Sequence, residues 1–224
     1  ATYQYPRALG KYIAICEGDD YWTDPLKLQK QVDFLEANPE YAICAHCTKV
    51  LNYGDLVEDT FLRKIPNVTT KYHLARGNYI RTLSVVFRNI FDKHLNIPTG
   101  VCLVDHFLWL FISHRGGKII ILNDVMGVYR MHDGGIWSGA SKESSMRNLV
   151  SHYEALTTYF GEKTLNRILN GMFVYTCYMN SLLMLKKLEI RKTLHYFKYS
   201  FRFEFNYMHL FFPIEKIRRN ILNR

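Results

Sequence analysis

Short apolar runs and stretches of helical periodicity alternate along the first 140 residues, and the rest of the chain has a mostly helical pattern. The apolar runs predict strands over residues 11–16, 41–47, 84–88, 118–122 and 125–130. Helical spacing predicts helices over residues 25–37, 105–114 and most of 142–224. We therefore expect a mixed α/β part, residues 1–140, followed by a helical part, residues 141–224.

Three connecting segments lack a regular pattern. Residues 52–55, Asn-Tyr-Gly-Asp, predict the turn of a hairpin, and the polar residues 59–78 predict an irregular connection. The segment 131–141 contains three glycines and is expected to be a loop.

Three carboxylates lie within four positions directly after the first predicted strand: Glu17, Asp19 and Asp20. Like charges this close repel one another, and burial at the end of a strand adds a desolvation cost. A divalent cation relieves both effects. Mg²⁺ and Mn²⁺ are usually held by one or two carboxylates plus substrate phosphates. The alternative is an acidic loop that leads into a helix N-cap at Asp24, before Pro25.

The residues around this acidic run resemble those of a known family. The resemblance is carried by residues 10–22, 25–31, 104–109 and 128–138, and it covers roughly residues 8–140. In this order they resemble the DXD strand, the following helix and two later motifs of the family-two nucleotide-sugar glycosyltransferases. The resemblance implies an α/β fold, a GT-A-like (partial Rossmann-like) mixed sheet flanked by helices, with a helical carboxy-terminal extension. Family members carry a base-binding β-α-β portion ahead of the DXD strand. This sequence begins about ten residues before that strand, so we expect either a fragment of a longer protein or a protein that lacks this portion.

The resemblance also implies a metal site. In the family, the DXD carboxylates hold a divalent metal that bridges the two phosphates of the sugar donor. By position, the metal ligands would be Asp19 and His132, and Glu17 would contact the nucleotide ribose. Asp20 would support the site. A mixed oxygen and imidazole set favours Mn²⁺ over Mg²⁺.

The segment around His132 would supply further contacts to the donor. Arg130 would make a charge-assisted bond to the diphosphate. Gly134 and Gly135 would let backbone N–H groups approach phosphate oxygens, and Trp137 would pack or stack on a sugar. The alternative is a turn that happens to contain a histidine and glycines.

Asp105 is the candidate general base. It lies at the start of an apolar helix, where family members place the acid that deprotonates the acceptor hydroxyl. A carboxylate is a weak base for an alcohol, but it suffices when proton transfer is concerted with attack on an oxocarbenium-like carbon. Two alternatives are a helix-stabilising acid and the neighbouring His106 as the base.

Charge is concentrated near the C-terminus. Of a net charge of +9, residues 186–224 carry ten Lys and Arg against three Glu, which is +7, interleaved with aromatic residues. This pattern favours an anionic membrane surface or a snorkelling helical cap on the domain, and only weakly nucleic acid. The apolar run 172–185 is shorter than the ~18 residues of a spanning helix, so we expect peripheral binding at the inner face of the membrane.

Composition excludes a disordered chain, because 48% of the residues are hydrophobic and 15% are aromatic. Five cysteines, an odd number, predict reduced thiols in a cytoplasmic setting. Cys44 and Cys47 form a C-x-x-C around His46, but residues three apart on a strand face opposite sides. We therefore expect structural thiols there and no zinc or redox site.

The resulting hypothesis is a metal-dependent inverting glycosyltransferase of cell-surface polysaccharide synthesis. It would move a sugar from a nucleoside-diphosphate donor to a hydroxyl of a glycan or lipid-linked acceptor. The alternative is an inactive, glycosyltransferase-like module that binds a membrane or a partner.

Overall fold

The computed structural model describes residues 7–60, 65–90, 95–132, 134 and 141–200. The chain divides into two compact units, residues 1–99 with 103–140 and residues 100–102 with 141–224. The strands are β1 (Tyr12–Ala14), β2 (Tyr21–Trp22), β3 (Tyr41–Asn52), β4 (Asp55–Glu58), β5 (Val68–Thr69), β6 (Val86–Arg88) and β7 (Lys118–Met131). The helices are α1 (Lys27–Ala37), α2 (Lys71–Leu74), α3 (Val104–Gly116), α4 (Lys142–Tyr159), α5 (Lys163–Lys186) and α6 (Ile190–Ser200).

The first unit is built on one mixed sheet. Its strand order is β1-β6-β3-β7-β2, with β4 also paired to β3 and β5 to β7. Strands β3 and β7 are parallel, and the other pairings of the described strands are antiparallel. This α/β architecture confirms the predicted fold class.

Strand β7 is one long strand where the sequence pattern predicts two. The pairing with β3 runs from Tyr41 to Asn52 but steps from Leu122 to Val125, so two residues of β7 bulge out. The bulged residues are polar and have partners: the Asn67 side chain donates to Asn123 Oδ1 at 2.8 Å, and Lys30 pairs with Asp124 at 2.9 Å. The polar interruption that suggested a strand end is therefore a bulge.

Two helices complete the core of the first unit. Helix α3 is buried from His106 to Ser113, and the fully buried Trp109 makes an edge-to-face contact with Phe87, with ring centroids 5.6 Å apart. Helix α1 buries Lys27, Gln31 and Leu35, which recur every four residues along one face. It begins two residues later than predicted, and Asp24 accepts a hydrogen bond from the Leu26 N–H ahead of the first turn.

Other boundaries also differ from the pattern. The predicted hairpin is confirmed: Tyr53 and Gly54 have φ angles of 49° and 106° and join β3 to β4. The stretch 59–78 was expected to be irregular, yet it contains β5 and α2. Both elements are shorter than the window over which periodicity is recognised.

The second unit contains α4, α5 and α6. Among the described residues, α5 is the one helix whose length and composition would suit a membrane span, so the predicted limit of 172–185 underestimates its length. More than half of its apolar window is buried inside the structure. Such burial is typical of the core helix of a folded unit.

Candidate functional site

The acidic loop lies beside the C-terminal end of β7. Strand β1 ends at Ala14 and β2 begins at Tyr21, which pairs with Val128. The loop between them is closed by a turn in which the Asp20 N–H donates to the Glu17 carbonyl at 3.1 Å. Sheet pairing therefore brings the carboxylates next to the segment that follows β7.

Asp20 holds this arrangement in place. Its Oδ1 accepts a hydrogen bond from the backbone N–H of Arg130 at 2.8 Å, and the side chain is buried. Burial raises the pKa of Asp20. Its second oxygen, Oδ2, is buried and has no hydrogen-bond partner among the described residues. A buried carboxylate oxygen without a partner is unusual and marks a place where a cation or a donor group would be stabilised.

Asp19 and His132 meet across 113 positions of sequence. The imidazole Nε2 lies 2.9 Å from Asp19 Oδ2, and both side chains are partly exposed. This hydrogen bond lowers the pKa of Asp19. Gly134 packs against the same ring: a Cβ there would lie 3.2 Å from His132 Nδ1. The structure thus brings the two predicted metal ligands together.

Glu17 completes the acidic cluster. It lies at the surface, but its pKa is raised to about 6, chiefly because the protein around its carboxyl group removes part of its hydration. The charges of Asp20, Asp105 and Asp19 contribute to this rise, whereas a hydrogen bond with the Thr82 side chain opposes it. The predicted base, Asp105, therefore belongs to the same electrostatic cluster as the acidic loop.

Asp105 is held by an asparagine that the sequence pattern did not single out. The Asn78 side-chain amide donates to Asp105 Oδ2 at 2.6 Å, and Asn78 Oδ1 accepts from the Ile80 N–H at 3.1 Å. The second bond fixes the orientation of the amide. The rival base His106 is fully buried, and its Nε2 bonds to the Leu74 carbonyl at 2.7 Å. Burial lowers the pKa of His106, so it is held as a neutral core residue.

The remaining predicted donor contacts are only partly described. The Arg130 guanidinium lies 5.7 Å from the centre of the Tyr21 ring, and the residue is exposed. Gly135 and Trp137 lie outside the described residues, so those two predictions have no structural account. The C-terminal residues 201–224 lie outside them as well.

A second charged group, the ion pair of Arg81 and Asp59, lies near the cluster. The Arg81 side chain pairs with the buried carboxylate of Asp59 at 3.0 Å, and Asp59 also accepts from Thr48 Oγ1 at 2.9 Å. The guanidinium lies 4.2 Å from the centre of the Tyr129 ring, and its charge favours the ionised form of Asp20. No sequence motif marks Arg81, because its ion pair joins residues 22 positions apart.

Cys44 and Cys47 form no disulfide in the described part of the chain. Cys44 is buried, Cys47 is partly buried, and both thiols are free. Between them, His46 is buried with Nδ1 2.7 Å from the Cys47 carbonyl, and burial lowers its pKa to about 4. These residues behave as parts of the core.

The acidic loop supplies oxygen donors for a divalent cation, but its described residues do not form a complete set of ligands. Its donor set is oxygen-rich, and the carboxylate oxygen at Asp20 Oδ2 lacks a partner. In the part of the chain that the structure describes, however, no group of three or more His, Cys, Asp and Glu side chains is assembled around one point. A cation at Asp19 and His132 would therefore need ligands from a substrate, as Mg²⁺ and Mn²⁺ commonly do.

The chain is similar to a few known proteins over part of its length. No protein-family model matches the chain. Uncharacterized proteins of Mycobacterium bovis and Mycobacterium tuberculosis are 42% identical over 137 residues, which is 59% of this chain and 38% of each relative. An Escherichia coli protein named UDP-Glc:alpha-D-GlcNAc-diphosphoundecaprenol beta-1,3-glucosyltransferase WfaP is 27% identical over 136 residues, which is 61% of this chain and 52% of that protein.

The chain thus spans about two fifths to one half of the length of these relatives. The distant similarity to a glycosyltransferase agrees with the resemblance found in the sequence. It indicates a relationship to glycosyltransferases in general and to no particular donor or acceptor. The more similar mycobacterial proteins carry no assigned activity.

Proposed function

We propose that the protein is a cation-dependent inverting glycosyltransferase that uses a nucleoside-diphosphate sugar as donor. The observation that carries this proposal is that the acidic loop lies close to two candidate site residues from distant parts of the chain, His132 and Asp105. The acidic loop contacts His132, and Asp105 lies within electrostatic range of Glu17. A distant similarity to a glucosyltransferase supports the same reaction class.

The donor would bind at the acidic loop. A Mn²⁺ or Mg²⁺ ion held by Asp19 and His132 would supply positive charge to the departing diphosphate. Arg130 would contribute a further charge on the same side, and Glu17 would accept hydrogen bonds from the ribose. Asp20 would keep the loop against β7 through its bond to the Arg130 N–H.

Asp105 would receive the proton of the acceptor hydroxyl. As the hydroxyl oxygen bonds to the anomeric carbon, the bond from that carbon to the diphosphate oxygen breaks, and the proton passes to the carboxylate. A single displacement of this kind inverts the configuration at the anomeric carbon. Asn78 holds one carboxylate oxygen at 2.6 Å, which leaves the other for the acceptor.

The test is donor turnover by the protein in Mn²⁺. The first donor to try is UDP-glucose, because the E. coli relative is named for it; GDP- and dTDP-sugars follow. We expect release of the nucleoside diphosphate, and we expect Asp19→Asn to abolish it. The matched control is Asp33→Asn, which makes the same change at an exposed position of α1 and should leave turnover unchanged.

One result would favour the alternative function. If no donor binds in calorimetry and Asp19→Asn behaves like the wild type with every donor, the protein is a glycosyltransferase-like binding module without activity. Binding of the donor without turnover would instead point to a missing acceptor, which a panel of lipid-linked glycans would then supply.

A further inference from the structure

Helix α6 presents an exposed apolar stripe. Ile190, Leu194 and Phe197 are 65%, 62% and 40% exposed. At about 100° per residue they lie within roughly 60° of the helix circumference. Leu188, just before the helix, is 82% exposed. Large apolar side chains aligned and exposed in this way form a continuous stripe, which suits a binding surface better than a scattered set does.

The opposite side of α6 is the side that packs. Tyr199 makes an edge-to-face contact with Phe173 of α5, with ring centroids 6.4 Å apart, and Tyr196 is partly buried on the same side. The apolar stripe therefore points away from the helix that supports α6. No residue of α6 is fully buried.

Cations border the stripe. Arg191 and Lys198 are both exposed. They lie on the same flank of the stripe, about 40–60° around the helix from Leu194. Neither forms an ion pair with a residue in the described part of the chain. From 186 to 200 the chain carries five Lys and Arg against one Glu. Within this set, Lys187 and Lys192 pair with Glu143 of α4.

We propose that this face of α6 docks on the surface of an anionic lipid bilayer. An exposed apolar stripe bordered by unpaired cations is the arrangement by which a helix lies in the plane of the lipid headgroups. A second copy of the chain would bring the same cations into contact and repel it, whereas anionic lipids supply the complementary charge. The inference concerns the second unit alone and does not depend on the proposed sugar transfer.

The experiment is co-sedimentation of the protein with two kinds of vesicle, phosphatidylcholine alone and phosphatidylcholine with phosphatidylglycerol. We expect binding at least about tenfold tighter to the anionic vesicles, and release as the salt rises from about 50 mM to about 500 mM. The variant Arg191→Gln/Lys198→Gln should lose about tenfold of the anionic binding. The variant Ile190→Gln/Leu194→Gln/Phe197→Gln should lose binding to both kinds of vesicle.

The matched control is Lys142→Gln/Lys163→Gln, which removes the same charge from exposed positions at the starts of α4 and α5. It should bind within about twofold of the wild type, because neither residue borders the stripe. Far-UV circular dichroism of each variant verifies that the helices remain, which is expected since every changed side chain is exposed or partly exposed.

Three results would overturn the proposal. Equal binding to neutral and anionic vesicles would remove the role of the cations. Binding that resists high salt in the apolar variant would point to insertion of α5 instead. A dimer in sedimentation equilibrium that the apolar variant converts to a monomer would show that a second copy covers the stripe.

Discussion

The carboxylate of Asp20 accepts a hydrogen bond from the backbone N–H of Arg130 at 2.8 Å, although the two residues are 110 positions apart. This contact fastens the acidic loop to the end of β7, two residues before His132. Because β2 and β7 pair through Tyr21 and Val128, the bond extends their pairing into the loop. The position of Asp19 relative to His132 therefore depends on a side chain as well as on the sheet.

The first prediction tests this attachment. Asp20→Ala removes the acceptor and should lower the free energy of unfolding of the first unit by about 1.5–3 kcal/mol, the usual value of a hydrogen bond to a charged group. Asp20→Asn keeps an acceptor oxygen and removes a buried charge, so its stability should stay within about 1 kcal/mol of the wild type. Urea unfolding followed by tryptophan fluorescence measures both, since Trp22 and Trp109 lie in this unit. Equal losses in the two variants would assign the effect to the charge.

The second prediction concerns cation binding. Asp19 and His132 lie 2.9 Å apart, and Asp20 Oδ2 has no partner among the described residues. We expect the protein to bind Mn²⁺ more tightly when a nucleoside diphosphate is present, because the two protein ligands leave room for phosphate oxygens. Electron paramagnetic resonance of free Mn²⁺ measures the binding.

In this titration, Asp19→Ala and His132→Ala should each weaken Mn²⁺ binding by at least about tenfold. Asp33→Asn serves as the control, because this acid is exposed on α1. Full Mn²⁺ binding by both site variants would contradict the assignment and move the cation to Glu17.

The sequence pattern predicts the principal elements of the first unit because their periods are strong. The apolar runs 118–122 and 125–130 and the helix after Val104 are recovered, since each buries several neighbouring side chains. The pattern divides β7 at Asn123, where polarity signals a turn. In the structure Asn123 accepts a hydrogen bond from the side chain of Asn67. Because Asn67 is 56 positions away, this partner cannot be recognised from the local sequence pattern.

In the candidate site as well, residues within the motifs were predicted and their distant hydrogen-bond partners were not. The resemblance to the glycosyltransferase family implies that Asp19, His132 and Asp105 belong to one site. The structure places Asp19 against His132, and Asp105 lies within electrostatic range of Glu17. The partners of these residues were missed. Asn78 reaches Asp105 across 27 positions, and polar side chains in connecting segments are common enough that none stands out.

The third prediction separates the candidate base from the residue that positions it. Asp105→Asn keeps the size of the side chain and removes its basicity, so sugar transfer should fall by about 10²–10⁴-fold while donor binding stays constant. Asn78→Ala removes the hydrogen bond at 2.6 Å but leaves the carboxylate, and kcat should fall by about tenfold without a change in donor KM.

The conservative variant Asn78→Ser, which retains a donor, should recover part of that loss. The matched control is Asn67→Ala, because Asn67 also bonds through its side-chain amide but to the bulge of β7. Near-normal transfer by Asp105→Asn would leave Asp105 as a helix-stabilising acid. An equal loss in Asn67→Ala would assign the effect of Asn78 to folding.

The last prediction concerns a lysine that the sequence gives no reason to bury. Lys27 is 1% exposed; its ammonium group lies 4.3 Å from the centre of the Trp22 ring and donates to Gln31 Oε1 at 2.8 Å. Gln31 in turn donates to the carbonyls of Cys44 and Ser84. No carboxylate pairs with Lys27 among the described residues, and burial lowers its pKa from 10.5 to about 8.

The lowered pKa of Lys27 determines the direction in which folding stability changes with pH. Between about pH 8 and pH 10.5 the unfolded chain binds the proton and the folded protein releases it, so folding becomes more favourable as the pH rises. The gain is fully present above 10.5 and is lost as the pH falls through about 8. Buried thiols and phenols such as Cys44 and Tyr79, whose pKa values are raised, act in the opposite direction.

The comparison with Lys27→Met isolates the lysine from these other groups. From pH 7.5 to pH 10, the unfolding free energy of the wild type should rise by on the order of 2 kcal/mol relative to that of the variant. Urea unfolding at several pH values measures the difference. The exposed Lys118→Met is the control and should show the same pH dependence as the wild type. If Lys27→Met also follows the wild type at every pH, then Lys27 keeps its ordinary pKa, which would require its ammonium group to reach water through an opening beside Trp22.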